Sequence, residues 1–501
     1  MPKHYSRKDF LKLSAATGAS LLLAACGGSD KDEKNSKSES ESESQPSKPT
    51  ALKNSQTSSA SSLQLITNTD AGYEELRQGF NKRINHHPAV IAVCKSSEDV
   101  AQAIRYAHDK NLAVAIKSGG HSMEGFSSNE QGLVINLSKM NHVKLLGHNR
   151  VQVGPGCTLS RLYDHLLPKS LLVPAGSCGT VGVGGLTMGG GYGLFARQYG
   201  LTCDSLLEAR FVDGNGVIHS TKNDNELLWA LRGGGAGNFG VVTDLIFQAY
   251  PSPARLQAHH FKARKLNTER ATNILEKWFS FAAQLPSTCF SAFVQNGATL
   301  NILVTNSGVH SKELQALLQG LAKETDEFRS DAPKELSKVL KNYYGSLVPL
   351  YFKNSSAGLY KSFEDIQAFI PEVLEKTIHT RGMIFQVNTL GGKIADPVLE
   401  KVSSYPHRAY HFISELQAYW QHPKEEEKLT QVSQECLKIF QEHGISAQYI
   451  NYCSLDFQNW QEAYYGKNYT RLQAVKQKYD PKNTIRHPQS IQPLYVPNKD
   501  V

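Results

Sequence analysis

The sequence has no uninterrupted run of eighteen apolar residues, the length a helix needs to cross a bilayer, so a multi-span membrane protein is not expected. Its eight cysteines, at 26, 94, 157, 178, 203, 289, 436 and 453, form no Cys-x-x-Cys pair. That argues against a structural zinc site, and no metal is expected. No clear disulfide framework is visible either. No basic stripe interleaved with aromatics occurs, so a nucleic-acid partner is not expected. There is no strand–GxGxxG–helix fingerprint, no Walker A lysine and no internal repeat. What remains is a chain of 501 residues, 40% hydrophobic and 20% charged, long enough for two sizeable cores. The net charge is +8, of which Lys3, Arg7, Lys8 and Lys12 against Asp9 supply +3 before Cys26, leaving +5 for everything after.

That amino-terminal segment reads as an address. A basic start is followed by an apolar stretch, Leu13 to Ala25, with small residues near its end: the layout of a secretory signal. Residues 6–12, Ser-Arg-Lys-Asp-Phe-Leu-Lys, resemble a twin-arginine export signal with Lys8 in place of the second arginine. Either that pathway tolerates the lysine or the chain travels unfolded. Leu23-Ala24-Ala25-Cys26 resembles a bacterial lipobox, which implies a lipid on Cys26 and a membrane tether; an ordinary cleaved signal is the alternative. Residues 1–25 are thus read as a signal peptide, and the protein as exported, either a periplasmic or cell-envelope lipoprotein or secreted. Residues 26–62, with Ser38-Glu-Ser-Glu-Ser-Glu-Ser44, bury too little apolar surface to offset chain entropy and read as a flexible tether.

From Leu63 the pattern changes. Pro88 to Cys94 is a β-branched run, Ser96 is a helix N-cap with acidic residues behind it, and Leu112 to Ile116 is the next strand, a β-α-β unit. Further strands are expected at 133–136 and 208–213. Residues 256–450 carry helical stretches at 267–284, 311–328, 364–377 and 423–443. Strand candidates lie at 291–295, 300–305, 383–388 and 409–420, and a late helix at about 458–479. The fold class is α+β, with an antiparallel sheet covered by helices in the second half.

Four glycine strings dominate 117–242: Lys117-Ser-Gly-Gly-His-Ser122, Pro174-Ala-Gly-Ser-Cys-Gly-Thr-Val-Gly-Val-Gly-Gly185, Gly189-Gly-Gly-Tyr-Gly193 and Leu231-Arg-Gly-Gly-Gly-Ala-Gly-Asn-Phe-Gly-Val-Val242. Such density indicates a large flat ligand approached closely by backbone. In this order and spacing, with Tyr464-Tyr-Gly-Lys-Asn468 and Tyr479-Asp-Pro-Lys-Asn483, the chain resembles the berberine-bridge-enzyme-like flavoprotein oxidases of the vanillyl-alcohol-oxidase superfamily. The resemblance implies a PCMH-type FAD-binding domain at 63–255, a substrate domain at 256–454, and a segment, 455–501, returning to the first domain. It implies FAD bonded covalently through His121, possibly also through Cys178. The two local signals disagree on the second bond: Gly179 replaces the usual proline, and Leu186 stands where many doubly linked relatives have His. Lys117, Ser118, Gly119, Gly120, Ser122, Gly179, Thr180, Val181, Gly182, Gly185, Gly189, Gly190, Tyr192, Gly193, Asn238, Gly240, Val241, Val242, Asn451 and Asn483 are the further cofactor-binding candidates. Val181 occupies the place controlling oxygen access and resembles that of oxidases.

Hydride removal from an alcohol needs a base for the hydroxyl proton. Tyr449-Ile-Asn-Tyr452 matches the family's Tyr-x-Asn-Tyr string, which implies Tyr452 as base with Tyr449 assisting. Gln386 and Asn388 occupy the place of a Gln-x-Asp pair, and Glu415 is expected to supply the carboxylate that Asn388 lacks. The implied activity is oxidation of a small hydroxyl-bearing molecule, a sugar or secondary alcohol, with O2 reduced to H2O2. Oxidation of a C–N or benzylic centre is one alternative. A tethered flavoprotein that only binds or passes on electrons is another.

Overall fold

The structure, a computed structural model, describes residues 63–494. The expected signal peptide, the lipobox at Cys26 and the tether lie outside the described residues. Among the described residues no helix is long and apolar enough to cross a membrane.

Strands β1 (Gln64–Ile66), β2 (Val90–Val93), β3 (Val114–Lys117) and β4 (Leu133–Asn136) form a sheet of order β1-β2-β4-β3, in which β4 runs parallel to both β2 and β3. The β-α-β unit is therefore a crossover that leaves a slot for β4. Its helix, Ser97–Asp109, starts where the Ser96 hydroxyl accepts the Asp99 N–H at 3.1 Å. Val100, Ile104 and Ala107, at helical spacing, are fully buried against Ala92, Leu133 and Ile135. Strand β3 ends at Lys117 and so delivers the Ser118–Ser122 loop to the sheet's edge.

A second, antiparallel sheet has the order β5-β6-β10-β8-β9. Its strands are β5 (Val143–Gly147), β6 (Arg150–Val153), β8 (Leu206–Asp213), β9 (Ile218–Ser220) and β10 (Gly240–Gln248), and β7 (Leu171–Leu172) pairs with β11 (Tyr250–Pro251) beside it. The third sheet has eight antiparallel strands: β12 (Arg255–Ala263), β13 (Cys289–Asn296), β14 (Thr299–Asn306), β15 (Glu327–Ser330), β16 (Lys334–Glu335), β17 (Tyr351–Tyr360), β18 (Met383–Thr389) and β19 (Phe412–Trp420). Their order is β15-β12-β14-β13-β18-β19-β17, with β16 also on β12. Helices Thr268–Ala283, Ile370–His379 and Glu426–Glu442 cover one face, where Trp278 meets Phe293, Phe279 meets Phe412, and Phe440 meets Phe385. The fold is α+β, as expected.

Period-two alternation then decides the opposite face. On β18, Phe385 and Val387 belong to the apolar core, while Gln386 and Asn388 line a cavity; on β19, Leu416 and Ala418 alternate with Glu415 and Gln417. Register sets Gln386 opposite Glu415 and Asn354 opposite Gln417.

Several elements depart from the sequence expectations. The helix expected over 311–328 stops at Ala322, because residues 327–330 instead pair with β12 at the sheet edge. The helix expected from 364 starts at Ile370, with Pro371 in its first turn. The late helix is broken at Gly466 (φ 48°) into Trp460–Tyr465 and Tyr469–Tyr479. Ile450–Tyr452 forms a 3-10 turn, entered through an extended Tyr449. Beyond it the chain returns to the first sheet. Ile485 bridges Val114 and is buried with Leu133, and the fully buried Lys476 donates to the carbonyls of Asn238 (2.6 Å) and Ile485 (2.7 Å).

Candidate active site

A cavity of about 360 Å³ runs between the glycine loops and the polar face of the large sheet. Two of those loops touch backbone to backbone. A Cβ on Gly119 would stand 2.4 Å from the Gly182 nitrogen, and one on Gly182 would stand 2.0 Å from the Ser118 hydroxyl. Ser118 in turn donates to the Pro155 carbonyl at 2.5 Å. This approach, open only to glycine, sets His121 beside residues 178–182. The His121 ring stacks on Phe80 at 4.1 Å, and its Nε2 lies 2.9 Å from the Thr180 hydroxyl. Burial pulls the imidazole down to about 4, so it is neutral at pH 7. Cys178 Sγ lies 4.0 Å from the same hydroxyl, and burial pushes its thiol up.

Most of the expected cofactor residues line this cavity; seven do not. Lys117 points away and donates to the carbonyls of Leu76 (2.7 Å) and Gln78. Gly179 is capped by the Tyr344 ring, Gly189 backs onto the Asn451 amide, and Gly190 sits between Tyr405 and Tyr449. Thr180 stands behind His121. Val241 belongs to the core beneath the first sheet, its side chain turned away by strand alternation. Asn483 (φ 51°) occupies a turn and donates to Gln492. His487 and Phe126, stacked at 4.3 Å, close another wall. No sequence signal singled them out.

At the sheet end, one chain of hydrogen bonds joins the expected catalytic residues. Gln417 Nε2 donates to Gln386 Oε1 (3.0 Å), Gln386 Nε2 to Asn388 Oδ1 (2.9 Å), and Asn388 Nδ2 to the Tyr192 hydroxyl (2.9 Å). The Tyr192 and Tyr452 hydroxyls lie 2.6 Å apart. The donors therefore point toward the tyrosine pair, where they stabilise negative charge. Tyr192, read from its glycine string as a cofactor residue, thus sits in the cavity wall against Tyr452, the expected base. Burial holds both hydroxyls well above the ordinary tyrosine range, so at neutral pH the pair is protonated, and a charge formed on either oxygen is shared through their hydrogen bond. The Tyr449 hydroxyl does not bond to that of Tyr452; it accepts the Gly191 N–H (2.8 Å) and the Asn451 amide (3.0 Å), holding the glycine turn. Glu415 accepts from Gln417 at 2.9 Å, and burial pushes its carboxyl up to about 8. It is therefore mainly a neutral acid at pH 7, unlike the carboxylate expected there.

Behind the site, four charges far apart in sequence converge. Glu124 is bound by Arg83 (2.5 Å) and Lys353 (2.5 Å), and Lys353 also meets Asp456 (2.8 Å). Glu124 follows the His121 loop, Lys353 adjoins Asn354 on β17, and Asp456 belongs to the returning segment. The cluster thereby joins the three parts around the cavity.

The residues fit FAD. The cavity has small-molecule dimensions and glycine walls, and a Cβ at Gly185 would meet no atom within 4 Å. A neutral imidazole stands in its wall. Comparisons with known proteins agree. A family model described as "FAD binding domain" matches residues 88–222, and one described as "Berberine and berberine like" matches 448–492. The FAD-linked oxidoreductase YgaK of Bacillus subtilis is 29% identical over 441 residues, covering 86% of this chain and 97% of the relative. The chitooligosaccharide oxidase of Gibberella zeae is 28% identical over 452 residues, covering 84% and 90%. In fold, the structure of BBE-like 1 from Physcomitrella patens superposes with a TM-score of 0.79 at 22% identity, over 87% of this chain and 98% of the other. By these matches and this site, the chain carries an FAD-binding domain and a berberine-like segment, and over most of its length it is similar to berberine-bridge-enzyme-like FAD-linked oxidoreductases.

Proposed function

We propose that the protein oxidises a neutral, hydroxyl-bearing small molecule, a sugar or secondary alcohol, and passes the electrons to O2. The observation that carries this reading is the Tyr192–Tyr452 hydroxyl pair, 2.6 Å apart in the cavity wall and fed by donors from Asn388, Gln386 and Gln417. Bound FAD, attached through His121 with Cys178 as the candidate for a second bond, would supply the hydride acceptor that these side chains lack. Tyr452, in its ionised form, takes the substrate hydroxyl proton, and the Tyr192 hydroxyl, held by Asn388, stabilises that form by hydrogen bonding. Gln386, Gln417 and Asn354 offer further hydrogen bonds to neighbouring hydroxyls, and Phe80 and Phe352 provide apolar walls. The described lining contains no lysine, arginine or aspartate, and its one carboxyl, Glu415, stays largely protonated below about pH 8. That favours an uncharged substrate over an ammonium or a sugar acid.

The test is peroxide release across neutral sugars, polyols, secondary alcohols and aromatic amines, with Tyr452→Phe as control. The expected result is turnover of a neutral hydroxyl substrate and a loss of about 100-fold or more in kcat/KM in the variant, with flavin retained. Turnover of amines alone, or an undiminished variant, overturns the reading. Export and a lipid on Cys26 are further parts of the proposal, tested by mass spectrometry of the mature amino terminus.

A further inference from the structure

We propose that the Thr180 hydroxyl is the positioning residue for flavin attachment: it holds His121 in the tautomer that leaves Nδ1 free to act as nucleophile. This rests on the covalent-FAD reading above and adds a role for a residue outside the cavity lining. The geometry is specific. The loop contact between Gly119 and Gly182 fixes the two segments, Phe80 fixes the ring plane at 4.1 Å, and Thr180 Oγ1 lies 2.9 Å from Nε2. Nδ1 has no hydrogen-bond partner among the described residues, and His121 lines the cavity. Which nitrogen of a neutral imidazole carries the proton is set by the bond the other makes. With Nε2–H donating to Thr180, the lone pair resides on Nδ1. Burial, which keeps the ring unprotonated, works in the same direction.

The same hydroxyl lies 4.0 Å from Cys178 Sγ, a contact in which either group can donate; with the Thr180 proton turned to the sulfur, its lone pair serves His121. One side chain thereby touches both candidate attachment residues.

The step balances as follows. A C–H bond of the flavin 8α-methyl breaks, and the Nδ1–C8α bond forms. The ring system takes up two electrons, with the methyl and Nε2 protons as the two protons. O2 then accepts those electrons and protons as H2O2. In net terms, neutral His121, FAD and O2 give His121-linked FAD and H2O2. Afterwards Nε2 is an acceptor, and the Thr180 hydroxyl rotates to donate to it, so one group serves both states.

The experiment compares wild type, Thr180→Val, Thr180→Ala and Thr180→Ser as purified flavoproteins. Flavin is divided into acid-precipitable and acid-soluble fractions, and the attachment residue is found by peptide mass spectrometry. Total flavin per chain and thermal midpoint are measured alongside. The expected result is complete attachment at His121 in wild type and Thr180→Ser. In the two hydroxyl-free variants, the rate at which bound flavin becomes acid-stable falls about tenfold or more at unchanged total flavin, since a buried Nε2–H would lack its acceptor. Wild-type rates in both hydroxyl-free variants overturn the proposal, as does loss of attachment in folded, flavin-loaded Thr180→Ser. If Thr180→Val does not fold, the Ala and Ser pair decides. If wild-type flavin is wholly acid-soluble, the covalent reading fails and this proposal with it.

Discussion

Replacing Tyr192 by Phe removes one oxygen from the centre of the proposed proton-accepting unit and leaves its packing in place. The ring keeps its edge-on contacts to Tyr449 (centroids 5.7 Å) and Tyr452 (6.0 Å). What is lost is the 2.6 Å bond to Tyr452 and the 2.9 Å bond from Asn388. A hydrogen bond to a charged oxygen is worth about 1.5–3 kcal/mol. At 1.36 kcal/mol per unit, losing it raises the ionisation of Tyr452 by about 1–2 pKa units. A base must be deprotonated to act, and burial already places this pair above the working pH. The active fraction at fixed neutral pH therefore falls by roughly 10- to 150-fold. The assay is anaerobic stopped-flow reduction of the bound flavin by the best substrate, from pH 5 to 10, in both proteins. The expected outcome is a drop of that size in the reductive rate, with its rise displaced to higher pH by about 1–2 units. A variant within about twofold of wild type, with an unmoved profile, refutes the argument that the two hydroxyls share one charge.

Glu415→Gln should change the pH dependence of stability. Its folded-state pKa, raised to about 8 by burial, means that the group contributes stability fully below its unfolded value and loses it as pH rises toward 8. The wild-type thermal midpoint should therefore fall over this window, and that of the variant should fall less; parallel curves would contradict the assignment. Glu124→Gln leaves Lys353 with Asp456 and Arg83 with only the Phe352 and Met123 carbonyls, and breaking such a buried group costs about 3–5 kcal/mol. A thermal melt lowered by several degrees is expected, and an unchanged midpoint would count against the cluster as a clamp. Gly182→Ala puts a Cβ 2.0 Å from the Ser118 hydroxyl and 2.4 Å from the Gly119 nitrogen, prising the loops apart. Purified variant should carry far less flavin by visible absorbance; wild-type content would mean that the contact is dispensable.

How far the site could be read in advance depended on whether its parts were local. The glycine strings, His121 and the Tyr449–Tyr452 turn are contiguous, and each reveals its chemistry over a few residues. Strand β17 is different. Lys353-Asn-Ser-Ser-Ala-Gly358 has none of the β-branched or aromatic residues that mark a strand, and its pairing with β19 makes it one. Asn354 and Gln417 were invisible for the same reason, since they meet only through register. That Tyr192, besides lining the cavity, meets the Tyr452 hydroxyl depends on a contact spanning 260 positions.

By itself, the amino-acid sequence determined the α+β class and the glycine loops that let backbones close on one another, and it singled out His121, Cys178 and Tyr452 as candidates. Backbone freedom and side-chain chemistry are properties of single residues and short strings, so they survive without a fold. Tertiary structure alone decided that burial pushes Glu415 toward the neutral acid, that the Tyr192 and Tyr452 hydroxyls meet, that Thr180 lies between two candidate attachment residues, and that Arg83, Glu124, Lys353 and Asp456 form one cluster. Each depends on burial and on distances of a few ångströms between segments up to several hundred residues apart. Desolvation and hydrogen bonding act over those distances and not along the chain.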